Sequence, residues 1–197
     1  QQKDIDDLIK AYVKSAKLAI DAGFQVLEIH AAHGYLLHSF LSPIANKRGD
    51  TYGGTLEGRA KILKDITVAI RNNITDKVPL FCRISAVDGI ENGWDITDSV
   101  NLAEILTDSG VDVVDCSSGG ISGGSVLKNN LERGLGFQVP YADKIKKEVN
   151  IKTMAVGVIV DPQQAENILM ENKADFIAMG RELMYNPFWP LHAAQEL

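Results

Sequence analysis

The sequence predicts an α/β protein whose strands run parallel and curl toward a barrel. Short apolar runs alternate with longer amphipathic segments along the whole chain, in the order α-β-α-β-α-β-α-β-α-β-α. The apolar runs are β-branched, apolar on both faces and never joined by hairpin turns, the mark of parallel strands buried under helical crossovers. Chemistry-bearing residues recur at the C-terminal ends of the strands: His30, Arg83, Ser117, Gly157, Gly180 and Arg181. A barrel builds its site from the ends of all its strands, whereas an open doubly wound sheet does so mainly at one switch point.

Residues 4–22 place Ile5, Leu8, Ile9, Tyr12, Val13, Ala16 and Ala19 at helical spacing, and Gly23 is suited to the position after the last turn. Residues 25–30 (QVLEIH) read as a strand. A helix over 56–72 carries Leu56, Ala60, Leu63, Ile66 and Ile70 on one stripe, with Thr55 able to cap it. Then follow a strand at 79–85 (PLFCRIS), a helix at 96–108, a strand at 111–116 (VDVVDC) and a glycine-rich loop at 117–136. The last units are a helix at 138–148, a strand at 152–157, a helix at 161–171, a strand at 175–179 and a terminal helix. Asp161 followed by Pro162 is a strong start signal, because proline at the first helical position lacks only an N–H that would be unpaired anyway. No linker or shift of composition divides the chain, so residues 1–197 are expected to form a single domain.

Composition removes several functions. The chain has 197 residues, 45% hydrophobic and 23% charged, which excludes a disordered, collagen-like or disulfide-scaffold protein. Its formal net charge of −6, from 26 acidic and 20 basic residues, argues against a nucleic-acid partner and against an anionic membrane surface. No window approaches the roughly 18 apolar residues of a membrane span. The acidic, amphipathic start is unlike a secretory signal, and the missing initiator Met points to processing or to a piece of something longer. Cys82 and Cys116 lie inside apolar runs, so buried free thiols in a reducing, cytoplasmic setting are expected.

The densest chemistry is in EIHAAHGYLLH, residues 28–38, where His30, His33 and Tyr35 fall within six positions. Two histidines at i, i+3 can share a metal, but no third ligand follows nearby. The same residues can act as paired imidazole donors to a substrate oxygen with Tyr35 as proton donor, or simply as polar packing at a helix start. His38 is expected on an ordinary helix face in a structural role. The loop over 41–59 reads as held by pairs among Arg48, Asp50, Glu57 and Arg59. Arg83 stands alone in LFCRIS, either aimed into a site or paired with Glu28 or Asp115 on a neighbouring strand. Gly157, Gly180 and Arg181 on the last two strand ends suit an anion such as phosphate. The loop Gly119-Gly120-Ile121-Ser122-Gly123-Gly124 has no following P-loop lysine and reads as a flexible active-site loop.

With these residues assembled, the chain resembles the Old Yellow Enzyme family of flavin-dependent ene-reductases, in particular its bacterial NADH:flavin oxidoreductase subgroup. The resemblance rests on EIHAAHGYLLHSFLSPIANKRGDTYGG, RISAVDG, DCSSGG, MAVGVI and MGRELMYNPFW, which occur in family order over almost the whole chain. It implies an α/β fold that is a partial (β/α)8 TIM barrel, with five βα units corresponding to strands 4–8. It implies FMN as cofactor and NADH or NADPH as reductant. His30 and His33 would hold an enone carbonyl and Tyr35 would supply the proton. Arg83 would meet the flavin, and Gly157, Gly180 and Arg181 its phosphate. It also implies two open sheet edges, covered by another copy of the chain or by the missing part of the barrel.

Overall fold

The computed structural model describes residues 1–121 and 133–197. The helices are α1 (Gln2–Asp21), α2 (Leu36–Leu41), α3 (Leu56–Arg71), α4 (Ile96–Asp108), α5 (Val139–Glu148), α6 (Pro162–Met170), α7 (Arg181–Tyr185) and α8 (Trp189–Glu196). The strands are β1 (Leu27–Ala31), β2 (Leu80–Ser85), β3 (Val113–Ser117), β4 (Lys152–Val156) and β5 (Phe176–Ala178). All five predicted strands are present, each within two residues of its expected ends. α2 is the helix on which His38 was expected, and two helices rather than one follow β5.

All strand pairs are parallel, and their order across the sheet is β1-β2-β3-β4-β5. Each strand adds beside its predecessor with no reversal. A doubly wound sheet would reverse direction at its switch point, so this order decides for a barrel arc. The curvature is visible in one contact. Phe81 on β2 and Phe176 on β5 lie three strands apart, roughly 14 Å in a flat sheet at ~4.8 Å per strand. Their ring centroids are 5.7 Å apart, so the two rings meet over the concave face.

The alternation along each strand separates two environments. Ile29, Cys82, Ile84, Val114, Cys116 and Ala155 are buried under the helices. Glu28, His30, Phe81, Arg83, Asp115 and Met154 take the other face, in register across the sheet. The helical layer contributes Ile62, Leu63, Ile66, Leu102, Leu106 and Ile145, all fully buried. Each such side chain stabilises the fold by about 1.5–3 kcal/mol of transfer free energy. Cys82 and Cys116 are free and buried, and burial pushes both thiols up, so they stay protonated.

Local signals worked as read. Thr55 Oγ1 accepts from Gly58 N at 3.2 Å and starts α3. Asp161 Oδ1 accepts from Gln164 N at 2.9 Å ahead of Pro162. In the 41–59 loop, Arg48 pairs with Asp50 as expected. Arg59 does not take Glu57; it donates to Leu41 O at 2.8 Å and Gly54 O at 2.7 Å and reaches Asp98 Oδ1 at 3.7 Å. Glu57 instead occupies the first turn of α3, where a carboxylate meets free N–H groups.

The outer edges of β1 and β5 have no strand partner among the described residues. Large apolar side chains stand exposed along both flanks: Phe24 and Val26 beside β1, Met184, Tyr185 and Leu191 beyond β5. Among the described residues, no helix is long and apolar enough to cross a membrane.

Candidate active site

β1 delivers His30 to the concave face, and the turn that follows delivers His33 and Tyr35. That turn is tight because two successive residues are left-handed, His33 at φ 60° and Gly34 at φ 78°. A non-glycine residue in this region costs roughly 1–3 kcal/mol and persists only where its surroundings hold it. His33 is held from both ends. Its backbone N–H donates to Ser85 Oγ at 2.9 Å, and its ring Nε2 lies 2.6 Å from Ser117 Oγ. Ser85 Oγ in turn donates to Gly119 O at 2.7 Å. Ser85 and Ser117 are register partners at the ends of β2 and β3, so adjacent strands set both anchors.

Gly34 and Gly120 make the turn possible. A Cβ on Gly34 would fall 2.2 Å from Gly120 O, and one on Gly120 would fall 2.3 Å from the His33 carbonyl carbon. The backbones after β1 and β3 therefore touch, which only glycine allows. Gly119 N also donates to Val87 O at 2.8 Å. The first two residues of the expected flexible loop are thus pinned, a correction with a plain cause; Ser122, Gly123 and Gly124 lie outside the described residues.

The rings of His30 and His33 are 5.2 Å apart, and those of His30 and Tyr35 are 5.5 Å apart. Tyr35 is 65% exposed. Burial and then the Arg83 cation push the His33 imidazole down to about 4, and the same two causes lower His30. Both rings are therefore neutral at pH 7, each with one N–H to donate. A depressed histidine pKa means that the unfolded chain binds more protons between about 6.5 and 4, so this group's contribution to stability is lost as pH falls through that window. The expected result in a pH titration followed by NMR is a His33 midpoint near 4. A midpoint at the ordinary value of about 6.5 would mean a cation over much of the working range.

Arg83 Nη1 lies 3.2 Å from Asp115 Oδ2, so the predicted neighbour-strand pair is real. Arg83 nevertheless also faces a cleft, and its buried Nε has no hydrogen-bond partner among the described residues. Burial raises the Asp115 carboxyl to about 7 even though Arg83 pulls it the other way. The cleft, of about 770 Å³, is walled by His33, Arg83, Gly157, Gly180 and Arg181, five of the seven residues singled out from the sequence. Of the other two, the His30 ring stands beside His33 and the Tyr35 ring beside His30.

Gly157 needs its glycine on two counts, φ +123° and a side-chain position only 3.0 Å from Gln138 Nε2. Gly180, by contrast, opens onto free space. Arg181 begins α7. Sequence reasoning missed Ser85 and Gln138. Ser85 follows Arg83 at i+2 and so shares its face, a signal that alternation offered. Gln138 accepts from Ser118 Oγ at 2.5 Å and donates to Val156 O at 3.1 Å, tying the loop ends after β3 and β4; no local pattern announces it. Among the described residues no group of three or more His, Cys, Asp or Glu is disposed to hold a metal ion.

NADPH dehydrogenase of Halalkalibacterium halodurans is 44% identical over 196 residues, covering 100% of this chain and 56% of that protein. The NADPH dehydrogenase of Bacillus subtilis is 41% identical over 193 residues, covering 98% of this chain and 55% of that protein. The chain thus spans about half the length of the curated relatives it matches. Among solved structures, a 2-naphthoyl-CoA reductase complex superposes with TM-score 0.90 at 27% identity, over 100% of this chain and 30% of that one. The old yellow enzyme homologue from Zymomonas mobilis superposes with TM-score 0.81 at 26% identity, over 100% of this chain and 53% of that one. The five-stranded arc therefore corresponds to part of the fold of these larger flavoenzymes. One family matches over residues 1–197, and the chain belongs to it, the NADH:flavin oxidoreductase / NADH oxidase family.

Proposed function

We propose that this chain is the catalytic part of an FMN-dependent NAD(P)H oxidoreductase that reduces the activated C=C bond of an enone. One observation carries the reading: the His30–His33–Tyr35 cluster adjoins, through His33, a cleft whose wall holds Arg83, and the buried Nε of Arg83 has no hydrogen-bond partner among the described residues. Two neutral imidazoles beside a phenol suit a carbonyl oxygen and a carbon that must accept a proton.

The residues fit the flavin. Arg83 offers a buried donor and a positive charge to an electron-rich ring edge, and Arg181 with the open Gly180 suits a phosphate. FMN, when bound, supplies the hydride that the β-carbon of the substrate receives. His30 and His33 donate N–H groups to the carbonyl oxygen and stabilise the enolate that develops there. Ser117 and Ser85 keep His33 in its strained conformation, so this donor is aimed before substrate arrives. Tyr35 gives its phenolic proton to the α-carbon, and its exposure allows the proton to be replaced from water.

The open outer edges of β1 and β5 favour a second reading, a half barrel that binds flavin or phosphate, or assembles, without turnover. In either case a second copy or the rest of a barrel is expected to cover the apolar flanks. The test adds FMN to the purified chain and follows the visible flavin band, then adds NADPH and a small cyclic enone, with light scattering on the same sample. A shifted flavin band, enone reduction and an assembly larger than one chain support the first reading. A shifted band with no reduction selects the second. An untouched flavin spectrum defeats the first reading and the flavin-binding form of the second, and a single-chain mass in light scattering then defeats the assembling form as well.

A further inference from the structure

His38 was expected on an ordinary helix face, and the structure corrects this: it is fully buried in α2. Its Nδ1 accepts a hydrogen bond from Gly34 N at 2.9 Å. A ring nitrogen that accepts from an N–H carries no proton, so the imidazole proton belongs on Nε2. Nε2 lies 2.9 Å from Asp88 Oδ1, and both side chains are wholly buried. Asp88 is itself fixed, because Oδ2 accepts from Ser42 Oγ at 2.6 Å and from Trp94 N at 2.8 Å. The Trp94 ring is anchored in turn, Nε1 to Ser99 Oγ at 2.7 Å, with Ser99 Oγ donating to Ala86 O at 2.7 Å. A rigid polar chain thus runs from the 86–99 segment, through Asp88 and His38, to the backbone of the left-handed turn between His33 and Tyr35.

We propose that His38, oriented by Asp88, is a positioning residue that sets the His33-Gly34-Tyr35 turn and so aims the substrate-binding imidazole and the proton donor. This rests on the reading of His33 and Tyr35 given above. A carboxylate behind an imidazole fixes which nitrogen carries the proton and how the ring is turned. Burial pushes the Asp88 carboxyl up, but hydrogen bonds from His38, Ser42 and the Trp94 N–H outweigh it and hold the group below the ordinary range. Asp88 is thus a permanent anion whose partner must donate. The His38 ring bridges two segments far apart in sequence, the turn after β1 and the loop after β2. A merely space-filling residue needs none of this polar geometry, and wholly buried polar pairs are costly unless every contact is made.

Three measurements test the proposal on the 197-residue chain. Long-range proton–nitrogen NMR on the wild-type protein should find His38 with Nδ1 bare and Nε2 protonated; a protonated Nδ1 overturns the proposal. His38→Leu keeps bulk and removes both the hydrogen bond from Gly34 N and the polar contact with Asp88. It should shift the Gly34 amide and the His33 ring signals, whereas His38→Asn, which retains an acceptor near the Nδ1 position, should return the Gly34 amide toward its native place. Unmoved signals in a folded His38→Leu protein would refute the idea. If His38→Leu does not fold, the tautomer and His38→Asn still decide. With FMN bound, His38→Leu should lower kcat for enone reduction by about 100-fold, the scale of misplaced reacting groups, while the FMN Kd changes less than about twofold. An unchanged kcat in that folded, flavin-loaded variant also overturns the proposal. The NMR readouts need no flavin, so a chain that binds no FMN defeats only the functional reading.

Discussion

Replacing Arg83 by Leu is expected to weaken FMN binding by about 10- to 100-fold and to cost about 3–5 kcal/mol of stability at pH 8, through two separable causes. The first is the loss of a charge-assisted donor at the flavin, worth about 1.5–3 kcal/mol. The second is Asp115, which is 1% exposed and would be left in the sheet without its cation. Glu28 adds a like charge nearby and makes the isolation worse. The pH dependence distinguishes this cause. Asp115 already sits at about 7, above its unfolded value, so the folded state holds its proton more tightly than the unfolded chain does. For a raised carboxyl, stability is lost as pH rises from the unfolded pKa, near 4, up through the folded one. Without Arg83 the folded pKa rises further, so the deficit in Tm should be small at pH 5 and largest at pH 8.

The double replacement Arg83→Leu with Asp115→Leu should then recover most of the stability, because exchanging a buried ion pair for apolar groups is often neutral or favourable. It should not recover FMN affinity. Chemical denaturation at the two pH values and a flavin titration measure both quantities. Full FMN affinity in Arg83→Leu would reduce the arginine to a structural partner of Asp115.

Arg83 also shows how far the sequence speaks. A lone cation in LFCRIS demands an anion; of the alternatives it posed, the neighbour-strand carboxylate is Asp115, and Arg83 also lines the cleft in which the flavin is proposed to sit. The strands were legible because QVLEIH, PLFCRIS and VDVVDC are short runs dominated by apolar residues, although their concave face carries Glu28, His30, Arg83 and Asp115, and helix starts because Thr55 and Asp161 cap visibly. The sheet order was not in the periodicity, since a stripe of apolar residues reports that a face is covered and not by which neighbour. Polar strand ends supplied that clue. His38 was misread because α2 has only six residues, too few for a stripe to tell inside from outside. Its partner Asp88 lies 50 positions away in a loop, and the contact of Gly34 with Gly120 spans 86 positions. Contacts of that kind are made by curvature, which no local pattern encodes. The roles proposed for His30, His33 and Tyr35 came from the resemblance, because spacing alone left substrate binding and polar packing at a helix start both open, with a metal site disfavoured for want of a third ligand.

Tyr35→Phe is expected to slow enone reduction by about 10²- to 10⁴-fold, the usual worth of a positioned proton donor. It should leave flavin reduction by NAD(P)H within about twofold of wild type and stability within about 0.5 kcal/mol. The structural reason for such a clean separation is that the hydroxyl makes no hydrogen bond to a described residue, while the ring, 5.5 Å from His30, is retained by phenylalanine. Tyr35 also keeps its extended backbone at the start of α2, which either aromatic residue adopts. The contrast is with His33, whose ring and backbone are both tied into Ser85 and Ser117, so that truncation there would disturb the turn as well as the chemistry. Stopped-flow measurement of the two half-reactions separates the effects: a phenol that acts only in the second should leave the first intact. Equal loss in both would mean that Tyr35 shapes the cleft for either ligand, and the proton would then have to reach the α-carbon from another group or from water.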